Sequence, residues 1–477
     1  MGTAKNYKER QANERLRALI AEADCSHSGL ARQVNMCGRA HGMDLRYDKT
    51  SVSRWLRGQR PRDTVPKVIA EVLSGKLGRR VTLHEMGMAA EQDVNGAKGP
   101  QLPLSLHDAL LRACALWQAD AQDVSMRPKA PTSVAKTDLV TVAGLVEASR
   151  DWLITEPDRS AAHRGTRRVG VPDVAALWAT TGALVDLDHR FGGGHIRPVV
   201  VHQLSGVVAE LLRGEYKEAV GRRLFACAAR LSELVGYMAF DTNQLMPAQC
   251  YYTQALRLAQ AAGDRAFGSY VISAGLGRLA LAMGNPRETV HLAKAAQEGA
   301  RGDITPQIRS VQYAIEARGH ALLGDRHSFQ SVADRAEEAL GTSVGATGDA
   351  RSACDLGISF DTAYLAGERA LGYQDLGQLK QALQWAEEGA RAHPQARVRR
   401  RALSTLSLAT MMVRSREVQA GCAVARRAMS LVKAVQSEQC VTALRGLTGA
   451  LDSVGDETAL REFRTTLADA PAVASSA

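Results

Sequence analysis

Residues Lys49–Arg62 read KTSVSRWLRGQRPR, one lysine and four arginines around a single tryptophan. Val52, Trp55 and Leu56 recur at helical spacing, and Lys49, Thr50, Ser51, Ser53, Arg54 and Arg57 fall mostly on the other side. Gly58 and Pro61 are stop signals, so the spacing predicts a helix of about two turns over Thr50–Arg57. A basic helix of that length either reads a polyanion or is a solvated surface turn. Its surroundings decide between them.

Upstream, residues 7–23 put Leu16, Leu19 and Ile20 on one face of a first helix. Residues 28–40 predict a second, with Leu30, Ala31 and Val34 inward and Ser28 as its N-cap. The loop HGMDLRYD separates it from the basic helix. Downstream, residues 65–77 predict a fourth, amphipathic helix and Arg80–Met86 a short fifth element. Residues 90–103 are polar, rich in Gly and Pro, and read as a linker. Charge follows the same boundary. Residues 1–90 hold 17 Lys/Arg and 9 Asp/Glu, whereas the other 387 hold 43 and 41. Most of the net charge of +10 therefore sits in the first module, whose expected partner is double-stranded DNA, because clustered Lys and Arg release counterions from phosphates.

A small residue in one helix and a β-branched residue in the next allow two helices to cross steeply, as in a helix-turn-helix. Ala31 and Val52 fill those places, with Trp55 in the core. The start of such a helix meets base edges. Arg54, one turn from Thr50, has the reach for the O6 and N7 of guanine. Arg57, Arg60 and Arg62 lie at or beyond the helix end, suited to phosphates, with Gln59 beside them. SVSRWLRGQRP resembles the end of the recognition helix in phage-repressor-like, xenobiotic-response-element regulators, over roughly residues 12–88. The resemblance implies base contacts for Lys49, Thr50 and Arg54, and phosphate contacts for Arg57 and for His27 at the head of the second helix. One departure is visible: Ala31 and Val52 stand about twenty positions apart, about twice the family spacing, so about eleven extra residues near CGRAHGMDLRY must be accommodated.

After residue 104 the chain reads as helix, interrupted by loops at 119–137 and 155–172. From about 196 onward a repeat of roughly 40 residues appears. Its turn positions fall at Asn243, Gly284, Gly324, Gly377, Arg416 and Gly455, and one longer step holds an insertion near Gly341–Leu356. Small residues recur at the crossings: Ala255, Ala296, Ala336, Gly389 and Ala428. The expected fold is all-α: a helix-turn-helix domain over 1–89, a linker, an α-solenoid of tetratricopeptide-like helix pairs over 104–470 and a disordered tail over 471–477. A HEAT-like array is the alternative. Low aromatic content, 5%, against 45% apolar residues suits closely packed helices.

LVDLDHRFGGGHIRP, LVGYMAFDTNQ and AQCYYTQALRLAQAAGDR resemble the C-terminal half of actinomycete regulators that fuse a helix-turn-helix to tetratricopeptide-like repeats, some of them negative regulators of sporulation and antibiotic production. That implies a cytoplasmic, nucleoid-associated transcriptional regulator, homodimeric through its C-terminal region, with a peptide, protein or small-molecule ligand on the repeats. The rival expectation is an interaction scaffold with weak or non-specific DNA binding.

Other patterns carry less. FGGGHIRP follows an amphipathic helix (Val174, Leu177, Trp178, Leu184, Val185) rather than a strand, so it is either a tight interhelical turn or a turn where His195 and Arg197 bind an anion. Glu337–Glu338 and Glu387–Glu388 read as solvated charge, and His163 and His189 as surface or turn residues. No HExxH, CxxC or nucleophile signature occurs, so no enzyme activity, cofactor or metal is expected. The eight cysteines are expected as free thiols of a reducing cytosol. The start MGTAKNYKERQ lacks an apolar signal core, and no membrane span is expected.

Overall fold

A computed structural model of the chain describes residues 13–23, 25–40, 45–59, 61, 65–77, 86, 102, 105–125, 141–300, 304–341, 360–454, 458, 461 and 463. Among these the chain is helical, with no strand and two isolated bridges, His163 to Tyr216 and Arg168 to Glu215. Residues 1–97 and 98–477 form two compact units. The linker expected at 90–103 and the tail at 471–477 lie outside the described residues except for Leu102, as does the element at 80–86 except for Met86.

The first unit holds α1 (Glu14–Glu22), α2 (His27–Ala40), α3 (Lys49–Leu56) and α4 (Val65–Leu77). Its core is the set the periodicity marks: Leu16, Leu19 and Ile20, Leu30, Ala31 and Val34, Val52 and Trp55, with Val68, Ile69 and Leu73. Asn13 opens α1, its side-chain oxygen accepting from Leu16 N–H at 3.0 Å. It also donates to the carbonyls of Leu56 and Met86, each at 2.8 Å, which stitches the start of α1 to the end of α3. Ser28 is not the cap of α2. Helix begins at His27, and the hydroxyl one residue earlier, Ser26 Oγ, accepts from Gly29 N–H at 3.1 Å. A cap must precede the first turn to reach its third amide, and Ser28 already lies inside that turn.

The second unit opens with α5 (Leu106–Ser125), α6 (Val142–Ile154) and α7 (Val171–Phe191). It continues through α8 (Gly193–Gln203), a π segment (Leu204–Val208) and α9 (Ala209–Leu212). The loop expected from 119 starts later, because α5 runs on to Ser125. Tertiary partners hold that extension: buried Trp117 donates to Gln254 at 2.7 Å, and Asp120 accepts from Tyr251 Oη at 2.7 Å. The second loop is present over 155–170, until Pro172 opens α7.

Five helix pairs follow: α10 (Glu218–Asp241) with α11 (Leu245–Ala262), and α12 (Arg265–Tyr270), a π segment (Val271–Gly277) and α13 (Arg278–Ala282) with α14 (Pro286–Gly299). Then come α15 (Pro306–Leu322) with α16 (Arg326–Gly341), α17 (Thr362–Asp375) with α18 (Leu379–Ala392), and α19 (Val398–Arg414) with α20 (Val418–Lys433). α21 (Glu438–Val454) ends the array. The pairing starts at 218 rather than 196. The sequence pattern there belongs to the helix interrupted by a π segment that precedes it. The five described turn positions are all left-handed, with φ of 58° at Asn243, 73° at Gly284, 76° at Gly324, 71° at Gly377 and 68° at Arg416. Each turn carries the same two hydrogen bonds, as in Gly377 N–H to Gln374 O at 2.9 Å and Gln378 N–H to Tyr373 O at 2.8 Å. This reversal satisfies orphan carbonyls and sends the next helix back antiparallel. Gly455 and the insertion after Gly341 lie outside the described residues. Ala255, Ala296, Ala336, Gly389 and Ala428 are all buried. The fold is therefore the expected all-α array.

The array also bends back on its own start. Arg399 of α19 donates to both carboxylate oxygens of Asp188 on α7, at 2.8 and 2.7 Å, and to Asp241 on α10 at 3.2 Å. Asp241 in turn accepts from Gly193 N–H at 3.1 Å and from Ser437 Oγ at 2.7 Å. Arg399→Met leaves two carboxylates buried without their cation. It should cost about 3–5 kcal/mol of stability, read as a lowered midpoint in urea unfolding of the full chain.

Candidate nucleic-acid interface

α3 is fixed at both ends. Asp48, extended at φ −129°, accepts from Ser51 N–H at 2.8 Å, while Ser51 Oγ lies against both the Asp48 carboxylate and the Asp48 amide. The Ser51 amide and hydroxyl hold the Asp48 carboxyl below the ordinary carboxylate range. The cap is therefore complete above that range and weakens as pH falls through the lowered value. At the other end Gly58, φ 86°, donates to Trp55 O at 3.0 Å and Gln59 N–H donates to Arg54 O at 3.0 Å. This is the same left-handed reversal that closes the repeat turns. Between the two ends, Val52, Trp55 and Leu56 are buried, so rotation of the helix about its axis is closed off.

The opposite face carries the residues expected to meet DNA. Lys49, Thr50, Arg54, Arg57 and Gln59 are exposed, and Ser51 and Ser53 are half-buried. Two hydroxyls are already engaged: Ser51 in the cap, and Ser53 donating to Lys49 O at 3.0 Å. Arg57 lies back along the helix, its Nε donating to Ser53 O at 3.2 Å. Among the described residues, neither Lys49 nor Arg54 meets an acidic side chain. An exposed guanidinium without an internal counterion is available to an external anion. His27 is exposed at the head of α2. Arg60 and Arg62 lie outside the described residues.

The long connection between α2 and α3 is held by a residue the sequence reading passed over. The Asn35 amide clamps Tyr47 from both sides, donating to Tyr47 O at 2.8 Å and accepting from Tyr47 N–H at 2.9 Å. Tyr47 then meets Trp55 edge to face at 5.1 Å. α2 therefore supplies from its second half the anchor that a shorter turn would not need. An Asn mid-helix, where its propensity is poor, was the available signal.

FGGGHIRP is the tight turn. α7 stops at Phe191, Gly192 turns at φ 82°, and α8 starts at Gly193. A Cβ on Gly193 would sit 2.8 Å from the Met238 backbone, and one on Gly194 2.6 Å from Gln436, so only glycine lets these segments approach. The anion at this helix start is the chain's own Asp241. Arg197 pairs with Asp120 at 2.7 Å on half-hidden walls of the unit, which removes it from an external ligand. Glu337, Glu338, Glu387 and Glu388 are exposed as expected, and so is His163. His189 departs from expectation: it is half-buried and lines a partly open cavity, where burial and the charge of Arg399 push it down to about 3.

No helix among the described residues is long and apolar enough to cross a membrane. Residues 16–89 match the family described as the SP15 N-terminal domain, a span that contains most of α1 and all of α2, α3 and α4. No curated protein matches the chain. Asn35→Ala should leave a buried-side backbone pair at Tyr47 without partners and destabilise the first unit by about 1–3 kcal/mol. Faster amide exchange at Tyr47 and through α3, with the second unit unchanged, is the expected result in the full chain.

Proposed function

We propose that the chain is a sequence-specific DNA-binding transcriptional regulator in which α3 enters the major groove and the helical array mediates dimerisation and senses a partner or ligand. The observation that carries this reading is the split of α3. One face is locked into a core, and the other presents Lys49, Thr50 and Arg54 to solvent, with no acidic partner for Lys49 or Arg54 among the described residues. Arg54 reads a base, Thr50 and Lys49 flank it, and Ser53 keeps free lone pairs to accept from a base edge. Arg57, Gln59, Arg60, Arg62 and His27 hold phosphates, and Ser51 acts through the cap that sets the start of the helix. The protein acts without catalysis, in the cytoplasm on the nucleoid. The resemblance of the repeats to actinomycete regulators points to negative control of development or secondary metabolism. The second reading, an interaction scaffold with weak DNA binding, is favoured by the size of the array relative to the basic unit.

Fluorescence anisotropy on selected DNA, across a range of salt, separates the two. Arg54→Ala should cost about 1–3 kcal/mol and relax preference at one base pair. Arg57→Ala should weaken all sequences alike and reduce the salt slope by about one. Binding that competitor DNA removes without any sequence preference would favour the scaffold. One recognition helix is a weak reader, and two-fold dimers are the usual solution. Light scattering at micromolar protein should give a mass near twice 51.2 kDa, and a monomer mass would count against the dimer.

A further inference from the structure

The array holds an open-mouthed cavity of about 540 Å³, bordered by α10, α13, α17, α19 and α21. That volume is in the range of small-molecule sites. Leu371 and Leu403 contribute apolar wall, and Arg400 stands where this cavity meets a smaller one.

Arg400 differs from the arginines around it. Arg399 holds Asp188 and Asp241, Arg278 holds Glu368, Arg318 holds Glu368 and Asp375, and Arg397 holds Asp361. Among the described residues Arg400 forms no direct ion pair, although the charge of Glu368 reaches it. Its Nε donates to Tyr364 Oη at 2.6 Å and its Nη2 to Tyr237 Oη at 2.8 Å, with the Tyr364 ring under the guanidinium at 4.1 Å. A half-buried cation served only by phenols is under-compensated. Each phenol accepts from the guanidinium, so its own O–H remains to be donated. Burial pushes Tyr237 up to about 12, so it keeps that proton.

A second observation lies on the same cavity. His393 is 7% exposed, packs edge-on to Tyr364 at 5.5 Å, and its Nδ1 has no partner. Burial, then the charge of Arg400, pushes it down to about 4, so its ring is neutral at pH 7 with one nitrogen unsatisfied. Ser407 Oγ, on the same wall, is also unpartnered. Buried polar atoms are normally satisfied.

We infer that this cavity binds a small organic acid, its carboxylate on Arg400 Nη1 and Tyr364 Oη and its apolar body along Leu371 and Leu403. A single negative charge matches a guanidinium that, among the described residues, is hydrogen-bonded to phenols rather than to a carboxylate. A phosphate dianion fits worse, because Glu368 and Asp241 border the same space. Burial works to raise Glu368, but Arg278 and Arg318 outweigh it and hold it down to about 2, so it is anionic there. The inference rests on the reading of the array as the sensing part and is independent of whether α3 reads DNA.

The test uses the full chain and saturation-transfer NMR with calorimetry. The probes are decanoate, indole-3-acetate, their primary amides, inorganic phosphate, and N-acetyl-Gly-Leu with a free or amidated end. At least one free acid should bind at sub-millimolar to micromolar strength, with its amide and phosphate at least about tenfold weaker. Arg400→Met should abolish that binding. Tyr364→Phe keeps the ring under Arg400 and should weaken it several-fold without lowering the melting temperature, which decides the matter if Arg400→Met fails to fold. Stronger binding of the free-ended peptide than of the simple acids would overturn the small-acid assignment. So would equal binding of acid and amide, no binding of any acid at millimolar concentration, or undiminished binding by both variants. Operator binding and its loss in Arg54→Ala, measured on the same preparations, are unaffected by that outcome, so a failed site and a failed regulator are told apart.

Discussion

The second unit depends on a single buried guanidinium. Arg399 brings α19 to α7 and α10, and Asp241 passes the connection to the start of α8 and, through Ser437, to the start of α21. A repeat array held only by neighbour contacts has no reason to return to its own beginning. This one does, and backbone bonds reinforce the joint: Gly194 N–H donates to Gln436 O at 3.1 Å and Gln436 N–H to Phe191 O at 3.0 Å. Burying three charges costs several kcal/mol in desolvation, and their attraction offsets this only with good geometry. The gain lies in specificity. Apolar surfaces slide, but a fork of paired bonds has one register.

Closure also creates the interior. Once α19 lies against α7 and α10, the first helices of the pairs face one another across the cavity, and their polar residues must find partners there. Most do, as when Arg278 and Arg318 both pair with Glu368. The two units therefore use arginine in opposite ways. On α3 the guanidinium of Arg54 is exposed to water and meets no acidic side chain among the described residues, at little cost. Inside the array Arg278, Arg318, Arg397 and Arg399 each meet a carboxylate, whereas among the described residues Arg400 is held by two phenols.

Much of this was legible in the sequence, for definable reasons. The five described repeat turns were readable because a left-handed residue is needed at each, and Gly284, Gly324 and Gly377 are the residues that tolerate it without strain. Asn243 and Arg416 fill the same place and were found only by register. The core of the first unit was readable from its 3.6-residue period. The closure was not, because nothing local distinguishes Arg399 from Arg400 and Arg401. Three consecutive arginines at the start of a helix do signal that some must turn inward, but the carboxylates that Arg399 meets lie more than a hundred residues away. The N-cap of α2 was misplaced by two residues, since Ser26 and Ser28 are equivalent until the first helical turn is known.

The same limit explains the α2–α3 connection. A short helix-turn-helix turn is specified by local turn chemistry, which sequence shows. A longer connection between two helices needs an anchor from elsewhere, and between α2 and α3 it is Asn35, whose side chain imitates a backbone partner for Tyr47. Tyr47 then packs on Trp55, so the residue that fixes the connection also fixes the buried side of α3. Control of α3 thus passes to the second half of α2, where the Asn35 amide and the Tyr47–Trp55 ring pair set the angle at which Arg54 meets solvent.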